Sequence, residues 1–212
     1  MQKQYIIGGA LAILVLIAIS YLLMGDTAQP AAAPEPTPAP VVAAIATSTY
    51  ATTSFSVIYP ANFTLSDTYA YTLVNPSKPI HGVKFSIPME VATGTNLAAS
   101  DTGISIEQLP RAKKCTGDIY LLDNVRPVEL TENGVTYSVA TSSGAGAGNF
   151  YEEAVFAIPG SSPCTAIRYF IHSMNIGNFE PGTVKEFDKP ALVASFDKIR
   201  QALTLIPQPA QQ

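Results

Sequence analysis

Twenty residues without a charge, Tyr5–Met24, run almost directly into five prolines within the 12 residues Gln29–Pro40, and this pairing decides where the chain can build a core. At about 1.5 Å of rise per residue, a helix over the run reaches roughly 30 Å, the thickness of a bilayer's hydrocarbon interior. A helix satisfies its own backbone groups in lipid. Ser20 can bond back to a carbonyl one turn earlier, and Tyr5 and Tyr21 lie toward the ends, where aromatic rings favour the interface. The proline tract lacks backbone donors and has fixed φ values, so it forms neither helix nor sheet and extends at about 3.1 Å per residue.

Lys3 precedes the run and Asp26 follows it, which places the N-terminus in the cytoplasm and the rest outside. Cleavage after Ala28 would set Asp26 at −3, and cleavage after Ala33 would set Pro34 at +1. Both are poor signal-peptidase sites, so the run reads as an uncleaved signal anchor in a cell membrane. The expected organisation is a cytoplasmic N-terminus at 1–4, a transmembrane anchor at 5–24, a Pro/Ala-rich linker at 25–43, an extracytoplasmic domain at 44–206 and a flexible tail at 207–212.

The remaining stretch of about 165 residues is long enough for one hydrophobic core. Excluding Lys3, Asp26 and Glu35, 11 Lys and Arg face 14 Asp and Glu, and no stretch is strongly basic, which argues against nucleic acid as a partner. The largest basic cluster, Arg111, Lys113 and Lys114, reads as a solvated loop beside Cys115. Cys115 and Cys164 are the only cysteines, and outside the cytoplasm a disulfide between them is the default. With no CxxC and no nearby histidine they do not make a zinc site, and the scattered carboxylates hold no calcium loop, so no metal or other cofactor is expected.

Strand signals dominate. Phe55–Tyr59, Val83–Ile87 and the alternating Gly103–Leu109 read as strands, the last with Ile104 and Ile106 on its buried side. Asp118–Leu122 is ambiguous and short. Val125–Leu130 and Val135–Ala140 flank Asn133–Gly134, a strong hairpin signal because both residues tolerate positive φ. Phe150–Ile158 and Thr165–His172 flank a second, longer turn at 159–163, so four consecutive strands are expected to form an antiparallel meander. The run Gly144–Gly148 lacks the Lys-Ser/Thr of a phosphate loop and reads as a flexible connection. Pro190–Leu203 is the one convincing helix: Asp188 can cap it, Leu192, Val193, Phe196, Ile199 and Leu203 form its apolar face, and Asp197, Lys198 and Gln201 face water. The expected class is α+β, an antiparallel sheet packed against a C-terminal amphipathic helix and preceded by one transmembrane helix.

The opening Phe55-Ser56-Val57-Ile58-Tyr59-Pro60-Ala61-Asn62-Phe63-Thr64-Leu65 has the F-x-x-x-Y-P-x-x-F/W cadence of PsbP-like and Mog1/DcrB-like domains. The segment Ser195–Leu205 resembles their terminal helix, and residues 144–173 are similar to a set of bacterial membrane-anchored proteins with no assigned activity. The resemblance spans residues 50–206. The chain departs from it in having Phe63 where Trp is usual. The resemblance implies an accessory or interaction protein rather than an enzyme.

Candidate chemistry gathers at one hairpin. On a strand, residues two apart share a face, so Arg168, Phe170 and His172 point the same way, and one of Glu152 and Glu153 on the partner strand falls near Arg168. Such a cluster can bind an anion or serve as an acid–base pair, or it is an ordinary cross-strand ion pair. Ser173 points away from His172, which leaves no Ser/His/Asp arrangement with Asp188. His81 reads as a loop residue. The functional expectation is a membrane-anchored extracytoplasmic binding or accessory module, partnered by the bilayer through 5–24 and by an envelope protein. The alternatives are a tethered hydrolase using a Glu/His pair and a structural envelope protein acting by self-association.

Overall fold

Strand β9 (Cys164–Met174) organises the molecule, because every residue from Cys164 to Tyr169 is buried, which only a central strand covered on both faces achieves. The computed structural model describes residues 45–207. The expected anchor at 5–24, the linker at 25–43 and the tail beyond Pro207 lie outside the described residues. Among the described residues no helix is long and apolar enough to cross a membrane.

Ahead of β9 in the chain come β1 (Thr47–Ala51), β2 (Phe55–Pro60), β3 (Thr64–Tyr71), β4 (Ile80–Ser86), β5 (Gly103–Leu109), β6 (Val128–Glu132), β7 (Val135–Gly146) and β8 (Asn149–Ala157). The short α1 (Met89–Ala92) follows β4, and α2 (Lys189–Gln201) and β10 (Thr204–Leu205) follow β9. The large sheet has the order β3-β4-β5-β9-β8-β7-β6, and a small sheet has the order β1-β2-β10. Within both sheets the described strands pair antiparallel. This is an α+β domain in which β6 to β9 form the expected meander.

One face of the large sheet carries Phe85, Ile104, Ile106, Ile167, Tyr169 and Ile171, and the small sheet and α2 cover it. Asp188 accepts a hydrogen bond from the Ala191 amide at 2.9 Å, Pro190 occupies the first turn, and Leu192, Phe196 and Ile199 are buried. Lys198 and Gln201 face water as the spacing predicts, but Asp197 is half-buried because Tyr169 and Arg200 both donate to it.

The opposite face carries a second core of Tyr71, Ile80, Val155, Ala157 and Ala166, covered by Tyr120 and Leu121 from the long connection between β5 and β6. The ambiguous stretch near 118 is a 3-10 turn over Gly117–Tyr120 within that connection. Cys115 and Cys164 form a disulfide across a sequence separation of 49, which pins the connection to the start of β9. Closing a loop of that size stabilises by about 4 kcal/mol in the chain-entropy account.

Two sequence expectations fail for a common reason. Gly144–Gly146 are not loop but the end of β7, because Asn149–Tyr151 of β8 supply the ladder partners; only Ala147 and Gly148 turn, both with positive φ. His81 is not in a loop either; it pairs with Ala70 inside β4 and is exposed. In both places pairing with a neighbouring strand overrides weak local preference.

Candidate functional site

The β8–β9 ladder pairs Val155 with Arg168, Glu153 with Phe170, Glu152 with Ile171 and Tyr151 with His172. Paired residues project to the same face and neighbours along a strand to opposite faces. Glu153, Arg168 and His172 therefore lie on the face covered by the β5–β6 connection, and Glu152 lies on the face covered by α2. The four sequence candidates do not form one cluster.

Arg168 is fully buried. Its Nε and Nη2 donate to the two carboxylate oxygens of Glu107, each at 2.8 Å, a bidentate fork. Nη1 donates to Glu153, and Nη2 also donates to the Tyr120 carbonyl at 2.7 Å. The guanidinium lies 3.5 Å from the centre of the Tyr71 ring, and the Tyr71 hydroxyl donates to Glu153. Ser105 donates to Glu107 at 2.7 Å. Burial disfavours the charge on Arg168, but the hydrogen bonds and field of Glu107, with Tyr71 and Glu153, more than offset it and leave its pKa raised. Burial likewise pushes the phenols of Tyr71 and Tyr120 up. The result is a closed ionic lattice in which the donors and acceptors are used on one another.

Glu107 and Tyr71 are the functional neighbours that sequence reasoning missed. The alternation in β5 places Ser105 and Glu107 opposite Ile104 and Ile106, which reads as a solvated side. That side is buried under Tyr120, and one signal points to it: the lone acid of β5 and the lone arginine of β9, strands that the structure makes neighbours.

His172 is half-buried and separately served. Its Nδ1 lies 2.8 and 2.9 Å from the two Asp101 carboxylate oxygens, and its Nε2 lies 2.9 Å from Asn149 Oδ1. The ring stacks on Tyr151, with centroids 4.5 Å apart and planes at 27°. Among the described residues no hydrogen bond joins His172 to Arg168, Glu152 or Glu153. Glu152 cannot pair with His172 through the sheet, and Glu153 is committed to Arg168 and Tyr71. Among the described residues no group of three or more His, Cys, Asp or Glu side chains could hold a metal ion.

Glu152 opens on a different feature. It forms an ion pair with Lys189, the first residue of α2, and both are half-exposed. The pair stands beside a cavity of about 810 Å³ lined by Asn96, Ser143, Phe150, Ser173 and Phe187 among others. A second cavity of about 450 Å³ shares Ser143, Glu152 and Lys189 and continues along β8 to Phe156, Ile171 and Val193. The two make one groove between the β7–β8 hairpin and α2. Phe150 is 42% exposed beside it, and the hydroxyls of Ser143 and Ser173 make no side-chain hydrogen bond among the described residues.

Comparison with known proteins adds little. No family model and no curated protein matches the chain. A 1.50 Å crystal structure of a protein from Bacteroides thetaiotaomicron VPI-5482 is similar over 73% of this chain at 9% identity, with a TM-score of 0.39. The chain spans 46% of that protein's length, and a likeness this slight assigns neither family nor function.

Proposed function

We propose that this chain is a binding module held outside the cytoplasm by the anchor at 5–24 and spaced from the bilayer by the proline-rich segment at 25–43. The observation that carries the binding reading is the groove between β7–β8 and α2. It combines an exposed aromatic, unengaged hydroxyls and a half-exposed ion pair on rigid elements, the usual make-up of a recognition site. The disulfide supports an oxidising compartment, since Cys115 and Cys164 are the chain's only cysteines and they pair with each other. The resemblance of Phe55–Leu65 and Ser195–Leu205 to PsbP-like domains favours an accessory role with an envelope protein as partner.

The reading is tested on the full chain in membranes. The protein stays in the membrane pellet after alkaline carbonate extraction, and protease added to intact spheroplasts digests residues 44–206. A photocrosslinking residue at Phe150 yields a defined adduct, the same residue at the exposed Leu122 yields none, and Glu152→Lys abolishes the Phe150 adduct. Release by carbonate, protection from protease or equal crosslinking at both positions overturns the proposal.

A further inference from the structure

We propose that a second cavity, beside the disulfide, binds a single-chain anionic amphiphile of the fatty-carboxylate class. The cavity is about 930 Å³, within the roughly 300–1,000 Å³ typical of small-molecule sites. Pro79, Leu109, Pro110 and Ile119 give it an apolar surface. Lys78, Arg111, Lys113 and Lys114 line it too, and no acidic residue does. The four cations are exposed, and among the described residues none of their side chains makes a hydrogen bond or an ion pair. The chain as a whole carries a net charge of −4, so this is a local reversal of sign. Like charges gathered this closely repel one another, and an anion seated among them relieves the repulsion.

The cations are also held in place. Leu109 pairs with Cys164 in the β5–β9 ladder, and Cys115 is bonded to the same Cys164 through the disulfide. The segment Pro110–Lys114 is therefore tethered at both ends to one residue, so less ordering is left to be done when a ligand arrives. Lys78 and Pro79 enter from the β3–β4 connection immediately before Ile80, the first residue of β4. A folded partner needs about 800 Å² on each side. An open, mainly apolar hollow with four cations in its lining suits one alkyl chain laid along it with its charged head among them.

The test uses the full chain in phosphatidylcholine nanodiscs, with octanoate as the probe and lysine acetylation read residue by residue by mass spectrometry. Octanoate slows acetylation of Lys78, Lys113 and Lys114 about fivefold or more at saturation and leaves the exposed Lys198 unchanged. Propionate, which has the charge without the chain, and octanol, which has the chain without the charge, slow acetylation at none of these lysines. Lys113→Glu with Lys114→Glu lowers octanoate affinity about tenfold or more without moving the melting temperature of the unliganded protein. Four results overturn the proposal: no protection by octanoate, equal protection by propionate or by octanol, protection by an acidic peptide in place of octanoate, or protection by phosphatidylglycerol nanodiscs alone, which would assign the cations to a lipid surface.

Discussion

Arg168 and Arg200 sit on opposite faces of the large sheet, and both are buried with acids and aromatic rings around them. Arg168 rises from the central strand to Glu107, Glu153 and the Tyr71 ring. Arg200 descends from α2 to Glu132, Asp197 and the Tyr169 hydroxyl, over the rings of Tyr137 and Phe156. They differ in how far water reaches their partners. The side chains of Glu107 and Glu153 are 1% and 14% exposed, whereas those of Glu132 and Asp197 are 36% and 34% exposed. A buried acid deprived of its arginine has nowhere to turn, but a half-exposed one regains water. The two arginines differ in their bonding too: every guanidinium nitrogen of Arg168 has a partner, whereas Arg200 Nη1 has none among the described residues, so similar company carries unequal energy.

The largest effect that can break this comparison is at Arg168. Arg168→Met strands Glu107 as an uncompensated buried charge, and breaking such a pair costs about 3–5 kcal/mol. Denaturant unfolding measures it. Arg168 also neutralises Glu153, whose side chain is 14% exposed, so Glu107→Met and Glu153→Gln must both be added to remove the stranded charges, and the triple variant recovers most of the loss, since apolar replacement of a whole buried ion cluster is often close to neutral. If Arg168→Met costs less than the matching change at Arg200, partner exposure is not what separates the two sites.

Arg200→Met is expected to cost about 2 kcal/mol, the scale of hydrogen bonds to charged groups, because Glu132 and Asp197 rehydrate. This loss shrinks in 1 M salt, where the Debye length is about 3 Å, while the Arg168 loss does not. Equal salt dependence at both sites would mean that water reaches both clusters alike.

The contrast also shows where sequence legibility ends. The meander, the capped helix and the Cys115–Cys164 pairing followed from local signals: Asn133–Gly134, the 3.6 spacing after Asp188, and a pair of cysteines with no other partner. Strand β3 did not, because Thr64–Thr68 is an exposed edge with a register shift between Ser66 and Tyr69, and its apolar pattern is correspondingly weak. The site was half legible. Alternation put Arg168 and His172 on one face, but which glutamate joined them depended on register, and register depends on where the preceding hairpin turns. Glu107 arrives from a strand 61 residues away, and no local pattern reports that.

Alkaline pH probes the same two faces through their phenols. Tyr120 on the Arg168 side and Tyr169 on the Arg200 side are both raised above the ordinary value of 10.0, in each case chiefly by burial. Glu107 adds to this at Tyr120; at Tyr169, Arg200 opposes it and Asp197 adds to it. The folded state therefore holds these protons after the unfolded state has released them. Their contribution to stability is complete below about pH 10 and is lost as pH rises from there through the folded values. Each phenol steepens the alkaline loss by about 1.4 kcal/mol per pH unit. Tyr120→Phe and Tyr169→Phe should each flatten stability against pH by that amount. If only Tyr120→Phe does so, the Arg200 face is wetter than the 3% exposure of Tyr169 implies.

The smallest effect compares two turns with nearly the same backbone. Asn133 and Gly134 have φ values of 51° and 78°, and Ala147 and Gly148 have values of 50° and 78°. Only the first pair has the residue types that this turn favours, which is why the sequence revealed one hairpin and concealed the other. Ala147 pays for its left-handed backbone with no side-chain hydrogen bond in return, whereas Asn visits that region readily. Ala147 is exposed, so Ala147→Asn meets no packing constraint and should raise stability by about 0.5–1 kcal/mol, with Asn133→Ala lowering it by a similar amount. The gain at Ala147 should appear as slower hydrogen exchange at Phe150 and Tyr151, at the start of β8, with the Arg168 lattice unchanged. No gain there would mean that the second turn is held by its surroundings, through the Asn149 and Asn178 side chains that donate to the Ala147 and Gly148 carbonyls, rather than by its own backbone preference.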